Sequence, residues 1–327
     1  MQYIQFFSQA IKSMVLAFCI LSAGSIQAQG AYPTKPVKIV VAFAPGGGSD
    51  FIARLLAVKL GEKLGQPVIV ENRPGAGGNL GAEYALKAAP DGYTLLLAAA
   101  SYTVNPSMYK LSFDSLKDMT PIAQLARGPF VIAVNPKVPA NNLRELVALA
   151  KSQPGKLTYA SSGNGSIVHM VSEYFWDVTN IDVVHAPYKG TSPALNDTIA
   201  GHVQIVFGTV ASTLPFVKSG QLKALAVSTP KRLPALPNVP TAAEAGFPQY
   251  QVTNWHGLIA PKGLPKDIQA KLNRAVNDAL HGGTMEEGMS QDGLSAAGGS
   301  PEEFGELLKS EIDRWGALAK KRNIRGD

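Results

Sequence analysis

Three glycine-rich turns hold the residues of this 327-residue chain whose types and spacing could do chemistry. They are Phe43-Ala44-Pro45-Gly46-Gly47-Gly48-Ser49-Asp50, Arg73-Pro74-Gly75-Ala76-Gly77-Gly78-Asn79 and Ser161-Ser162-Gly163-Asn164-Gly165-Ser166. Glycine lets a backbone approach a ligand closely, and a helix that starts after such a turn offers unpaired N–H groups and a partial positive charge. Helix ends of this kind hold a carboxylate, phosphate or sulfate without a charged side chain. The first and third turns occupy equivalent places in two halves of the chain and bring hydroxyl and amide groups with them. They are expected to touch a ligand, whereas the middle loop is equally well explained as a tight turn.

Enzymatic uses of these turns fail on spacing. Each contains Gly-x-Gly, but the third glycine of a dinucleotide fingerprint is replaced by Phe51, Leu80 and Val168 respectively. There is no Walker A lysine and no Gly-x-Ser-x-Gly elbow. His169, His185, His202, His256 and His281 show no metal-ligand spacing, so neither metal nor cofactor is expected. Ser161 and Ser162 could be paired with His169 as nucleophile and base. His169, however, falls about two helical turns after Ser162, and no carboxylate is placed to orient it. Catalysis is not expected.

The elements that must position the turns alternate strand and helix. Val37–Phe43 is an apolar run that reads as a buried parallel strand. Ser49 or Asp50 is expected to cap the helix that follows, with Ile52, Leu55, Leu56, Leu60 and Leu64 on one face. Val68–Val70 and Leu95–Ala99 read as further strands. A second unit starts near Phe130–Val134, with Asn142 and Glu145 as a capping box, a strand over Thr158–Ala160, and His169, Val171 and Phe175 on the helix after the third turn. Val183-Val184, Val203–Phe207 and Ala224–Val227 read as its remaining strands, with a helix over Pro193–Ala200. Lys231–Pro240, with its three prolines, reads as an extended connector. Thr241 with Glu244 is expected to cap a short helix ended by Gly246. Trp255–Ala260, Pro265–Leu280 and Pro301–Arg322 then return the chain to the first unit. Ligands of such sheets sit at the carboxyl ends of the strands, where the first and third turns lie.

Composition narrows the class. Lys12, the apolar run Met14–Ala23 and the small residues through Ala28 read as a cleavable signal peptide, 1–28, too short to span a membrane. Cys19, the one cysteine, would leave with it, which excludes disulfides and thiolate catalysis in the exported chain. The net charge of +6 comes with no long basic run, since Lys320-Lys321-Arg322 reads as a solvated helix end, and nucleic-acid binding is not expected.

The residues also resemble a known family, the Bug/TctC substrate-binding proteins of tripartite tricarboxylate transport systems. The likeness rests on Tyr32-Pro33-x-Lys35-Pro36-Val37, Phe43-x-Pro45-Gly46-Gly47-x-x-Asp50, Val70–Gly78 with Asn79-x-Gly81, Pro90-Asp91-Gly92-Tyr93-Thr94, Pro154–Gly165 with His169, Pro187-Tyr188-Lys189-Gly190 and Pro237-x-Val239-Pro240-Thr241. It implies an α/β fold of the type II periplasmic-binding-protein class: two Rossmann-like lobes with a ligand cleft between them, divided as 29–127, 128–231 and 232–327, the last returning to the first lobe. It further implies that Ala44, Gly47 and Asp50 from one lobe, and Ser161, Ser162, Asn164 and His169 from the other, hold a ligand carboxylate. Phe43, Pro45, Gly46, Ser49, Gly163 and Gly165 complete the two turns, and Tyr102, Tyr188, Thr209 and Trp255 are further candidates for the cleft wall, with Trp255 and Phe43 equally readable as core residues. The implied protein is a periplasmic monomer that closes on a small carboxylate and hands it to membrane transporter subunits. A sensor presenting the same closed form to a membrane receptor stays open as the alternative.

Overall fold

The computed structural model describes residues 32–281, 283–291 and 293–326. The expected signal segment, Met1–Ala28, lies outside the described residues. Chain contacts divide the protein into Met1–Thr34 and Lys35–Asp327, and the second unit carries the fold. Among the described residues, no helix is long and apolar enough to cross a membrane.

Strand and helix alternate as β1 (Val37–Val41), α1 (Gly48–Leu64), β2 (Val68–Asn72), α2 (Asn79–Leu86), β3 (Thr94–Ala99), α3 (Ser101–Met108) and β4 (Met119–Gly128). A second run follows: β5 (Phe130–Val134), α4 (Leu143–Ser152), β6 (Thr158–Ser161), α5 (Ile167–Thr179), β7 (Val184–Pro187), α6 (Thr191–Ala200), β8 (Ile205–Thr209), α7 (Val210–Lys218) and β9 (Lys223–Val227). The chain ends with β10 (Asn254–Pro261), α8 (Lys266–Leu280), α9 (Gly283–Gln291), β11 (Ser295–Gly298) and α10 (Pro301–Lys321). The strands form a six-stranded sheet, β11-β4-β10-β3-β1-β2, and a five-stranded sheet, β7-β6-β8-β5-β9. β1 runs parallel to β2 and β3, and β6 parallel to β7 and β8. These parallel strands aim their carboxyl ends at the glycine turns. β10 returns antiparallel between β3 and β4.

Local chemistry explains most boundaries. Asn142 caps α4 by accepting from the Glu145 N–H at 2.9 Å. Ser300 and Glu303 make a reciprocal capping box at the start of α10, behind Pro301. The Thr241–Glu244 pair forms the same reciprocal bonds, yet only a single turn results in place of the expected helix, because Gly246 follows at once in a left-handed conformation (φ +99°). The first helix also differs from expectation. Its N-cap is Gly47, with no side-chain cap bond, so Ser49 and Asp50 lie inside its first turn. β4 and α3 give no clean period in sequence, since each contains a proline, Pro121 and Pro106. Pro121 is accommodated beside a register shift between β4 and β10.

The chain passes from the first sheet to the second at Pro129, between β4 and β5. The way back comes later than Lys231. Leu233 and Leu236 pack with Val131, Val206 and Val227, while Tyr250 and Val252 join Phe175 and Phe207 in the core of the second sheet. The Tyr250 hydroxyl donates to the Val171 carbonyl at 3.0 Å. Segment 229–251 therefore lies on the second sheet, and the return is Val252–Asn254. Ser228 ties both crossings together: its Oγ accepts from the Phe130 N–H at 2.9 Å and donates to the Val252 carbonyl at 2.7 Å.

A further connection is α10. Its first half puts Phe304 and Leu308 against Trp255 in the first core, and its last turns put Trp315, Leu318 and Ala319 in a cluster with Phe130, Met170 and Tyr250. Lys320-Lys321-Arg322 is accordingly not a solvated end throughout. Arg322 pairs with Glu173 and Asp182, each at 2.8 Å, and Lys321 with Asp177 at 2.7 Å. Trp315→Ala is expected to cost about 3–5 kcal/mol in urea unfolding, as for other large buried side chains. A loss below about 1 kcal/mol would show that the end of α10 is not anchored to the second sheet.

Candidate functional site

The first turn is exposed from Ala44 to Gly48 and enters α1 with its leading N–H groups free of any side-chain cap. At Gly46 and Gly48 a Cβ would meet nothing within 4 Å, and at Gly47 only the Ala44 carbonyl at 3.9 Å. Packing within the chain therefore does not require these glycines. Only Gly46, at φ +85°, needs glycine for its own backbone. What the missing side chains leave open is the space in front of the helix.

The turn is held from behind by Asp50. This carboxylate is buried and accepts from the Gly46 N–H, Arg54 Nε and Asn72 Nδ2, each at 2.9 Å. Asn72 Nδ2 also donates to the Phe43 carbonyl at 3.0 Å. The Arg54 guanidinium, with help from the Gly46 N–H and Asn72, holds the Asp50 carboxyl down at about 2. Asp50 is thus a buttress whose oxygens are already engaged. Phe43 and Tyr102 lie behind the turn, lining a small cavity of about 10 Å³ with Gly78. The Tyr102 hydroxyl donates to the Ser115 carbonyl at 2.8 Å in the core, so it has no free donor for a cleft.

The second of the two candidate turns, Ser161–Ser166, leads from β6 into α5, whose N-cap is Ser166. Ser161 is buried, and Ser162, Gly163 and Asn164 are half-buried. Ser161 Oγ accepts from the Gly163 N–H at 3.2 Å and lies 3.1 Å from the Gly163 carbonyl. The Gly165 N–H donates to His169 Nδ1 at 3.0 Å, which fixes the His169 proton on Nε2. Gly165 has φ +66°, and a Cβ there would lie 2.6 Å from Met108 Sδ, so the second turn packs directly on the end of α3. Tyr188 borders the turn. Its N–H donates to the Ser161 carbonyl at 3.1 Å, and its hydroxyl donates to Asp197 at 2.6 Å. Thr209 stands at the end of β8, paired with Phe130 beside the crossing, and its hydroxyl bonds Ser212 at 3.0 Å.

Candidates from both halves thus stand at the carboxyl ends of their parallel strands. Tyr102 stands apart from them, in the core. Sequence reasoning missed the supports: Arg54, Asn72, His185 and Arg322. Arg54 was within reach, because it lies four residues after Asp50 on one helix face. Asn72 and His185 arrive from neighbouring strands, through the pairs Val41↔Asn72 and Tyr159↔His185, and no local pattern reveals such pairing.

Asp50→Asn keeps the shape and removes the charge. It is expected to lower stability at pH 7 by about 1–3 kcal/mol, the scale of a charge-assisted hydrogen bond. The folded carboxyl is held low, so this stabilisation is present above the unfolded value near 4 and is lost as pH falls toward 2. The gap between variant and parent in denaturant melts should therefore narrow below pH 4, and a gap that stays constant from pH 7 to 3 would contradict the assignment.

Comparison with known proteins places this architecture. Residues 52–324 match the model of the tripartite tricarboxylate transporter family receptor. The chain is 35% identical to protein BugT of Bordetella pertussis, over 94% of this chain and 96% of that one. Among solved structures, Rpa4515 of R. palustris with adipate aligns with a TM-score of 0.78 at 34% identity, covering 90% of this chain and 99% of that one. MatC of Rhodopseudomonas palustris with bound malate aligns with a TM-score of 0.74 at 33% identity, covering 88% and 99%.

Proposed function

Because the chain belongs to the tripartite tricarboxylate transporter receptor family, a family of solute-binding receptors and not of enzymes, we propose that it captures a small carboxylate between its two turns and delivers it to membrane transporter subunits. The observation that carries this is the open first turn. Three successive glycines face space that the chain does not fill, in front of an uncapped helix N-terminus. Main-chain N–H groups and the helix dipole there suit an anionic oxygen. Ala44, Pro45, Gly46, Gly47 and Ser49 act from the first sheet, with Asp50 and Phe43 holding their shape. Ser161, Ser162, Gly163, Asn164 and Gly165 act from the second, with His169 behind them and Tyr188 and Thr209 at the border. Dicarboxylates are the first ligands to test, since related receptors were solved with adipate and malate. The leader 1–28 exports the chain to the periplasm, where it works as a monomer.

Capture proceeds by closure. A carboxylate that touches both turns interacts more strongly with the closed arrangement, and only that difference shifts the population. The bending points are Pro129 and Val252–Asn254, and α10, seated in both cores, must flex or slide at its middle.

Adipate or malate at a hundredfold excess over its Kd should stabilise the protein by about 2.7 kcal/mol, read as a rise in Tm. Gly47→Val should leave the unliganded Tm near that of the parent, since its Cβ meets no atom closer than 3.9 Å, and should abolish the ligand-induced rise. No rise with any acid in a broad carboxylate screen would count against capture, and a normal rise in Gly47→Val would remove the first turn from the site. Small-angle scattering should show a smaller radius of gyration with saturating ligand. An unchanged profile would leave binding without closure.

A further inference from the structure

Behind the second turn, His185 makes a set of half-buried polar and ring contacts. His185, on β7, places Nε2 2.6 Å from Ser161 Oγ. Its ring stacks on His169 with centroids 3.8 Å apart and 13° between planes. The same ring also stacks against Tyr159, with centroids 4.9 Å apart and 19° between planes. The Tyr159 hydroxyl donates to Glu173 at 2.5 Å, and Glu173 accepts from Arg322 at 2.8 Å. A cavity of about 530 Å³ opens beside these groups, lined by Asn164, His169, Glu173, His185 and Arg322.

The protons can be assigned from the partners. Ser161 Oγ faces a donor, the Gly163 N–H, and an acceptor, the Gly163 carbonyl. If His185 carries its proton on Nε2, that N–H donates to Ser161 Oγ, the serine proton goes to the Gly163 carbonyl, and all three contacts of Ser161 Oγ are satisfied together. His169 accepts from the Gly165 N–H and so must also be neutral. Burial holds both rings at about 4, with the neighbouring His169 adding to the effect on His185, so both are neutral at pH 7 as this bonding requires.

We propose that His185 is a positioning residue of the ligand site: its bond to Ser161 and its stack on His169 hold the inward-donating Gly163 and Gly165 N–H groups in place and so set the shape of the second turn. The ligand-facing consequence rests on the reading that this turn holds the carboxylate, while the positioning itself does not. The geometry favours this role over simple filling. A core aromatic would satisfy the stack, but only a donor at Nε2 completes the Ser161 arrangement, and Ser161 and His169 together contact the two glycine amides of the turn.

Two substitutions separate the roles. His185→Phe keeps a stacking ring and removes the donor, whereas His185→Gln keeps a donor where Nε2 stood and removes the ring. In ligand-free protein, the backbone amide NMR resonance of Gly163 should shift in His185→Phe and lie close to the parent in His185→Gln, whereas that of Gly165, reached through the stack on His169, should shift in His185→Gln and less in His185→Phe. In calorimetric titration with adipate and malate, His185→Phe should bind about tenfold more weakly, the scale of one hydrogen bond, and His185→Gln within about threefold of the parent. Ser161→Ala removes the same bond from its other end. The double variant Ser161→Ala with His185→Phe should therefore lose no more than the worse single variant. If His185→Phe does not fold, Ser161→Ala compared with His185→Gln makes the same test. Unmoved glycine amides, full affinity in His185→Phe, or additive losses in the double variant would each overturn the proposal. If neither acid binds the parent, the ligand reading fails at that point, and the amide resonances alone decide whether His185 positions the turn.

Discussion

A backbone N–H that must meet a ligand cannot be aimed by its own side chain, and glycine, which allows the closest approach, leaves the turn with few rotational restraints. A turn of this kind has to be held from behind by atoms the ligand never touches, and that constraint organises both halves of the molecule. In the first turn a buried carboxylate supplies the hold: Asp50 gathers the Gly46 N–H, Arg54 and Asn72 around two oxygens. In the second it is a serine and two imidazoles, with Ser161 on Gly163 and His169 on Gly165. The two halves solve the same mechanical problem with different chemistry.

Electrostatics follow from that choice. Asp50 is an anion near a place suited to anions, but Arg54 compensates its charge, and its oxygens are turned inward to donors. The imidazoles of the second turn are neutral because burial denies them protons. Neither support presents a net charge to the space ahead of the turns. In the proposed site, recognition falls to N–H dipoles and helix N-termini, which suit a carboxylate and leave the remainder of the ligand to the shape of the walls.

Packing sets how the halves can move. Both crossings run through one hydroxyl, Ser228, which bonds Phe130 at the way out and Val252 at the way back, so the two connections are tied together at a shared point. α10 adds a constraint that two independent lobes would lack. Its aromatic and aliphatic residues lie in both cores, and Arg322 clamps its end to Glu173 and Asp182. Contacts of Gly165 with Met108 and of Gly293 with Val210 join the halves on either side. Relative motion of the sheets must therefore be relayed through α10 and these small-residue contacts.

The sequence alone determined the alternation of strand and helix, the two-lobed class and the two turns, because those features are local. Glycine clusters, apolar runs of strand length and capping residues such as Asn142 and Ser300 act within a few positions of one another. The amphipathic helices over Lys266–Leu280 and Pro301–Lys321 were legible for the same reason, while Pro106 and Pro121 hid α3 and β4 by breaking the period. Only the tertiary structure decided that Asp50 faces inward, that Tyr102 spends its hydroxyl in the core, and that 229–251 stays with the second sheet. It also decided that His185 stands under Ser161 and that Arg322 reaches Glu173 from 149 positions away. Those facts depend on which strands lie side by side and on where a helix end comes to rest. Such pairings are set by the burial of whole faces, and no spacing between residues along the chain encodes them.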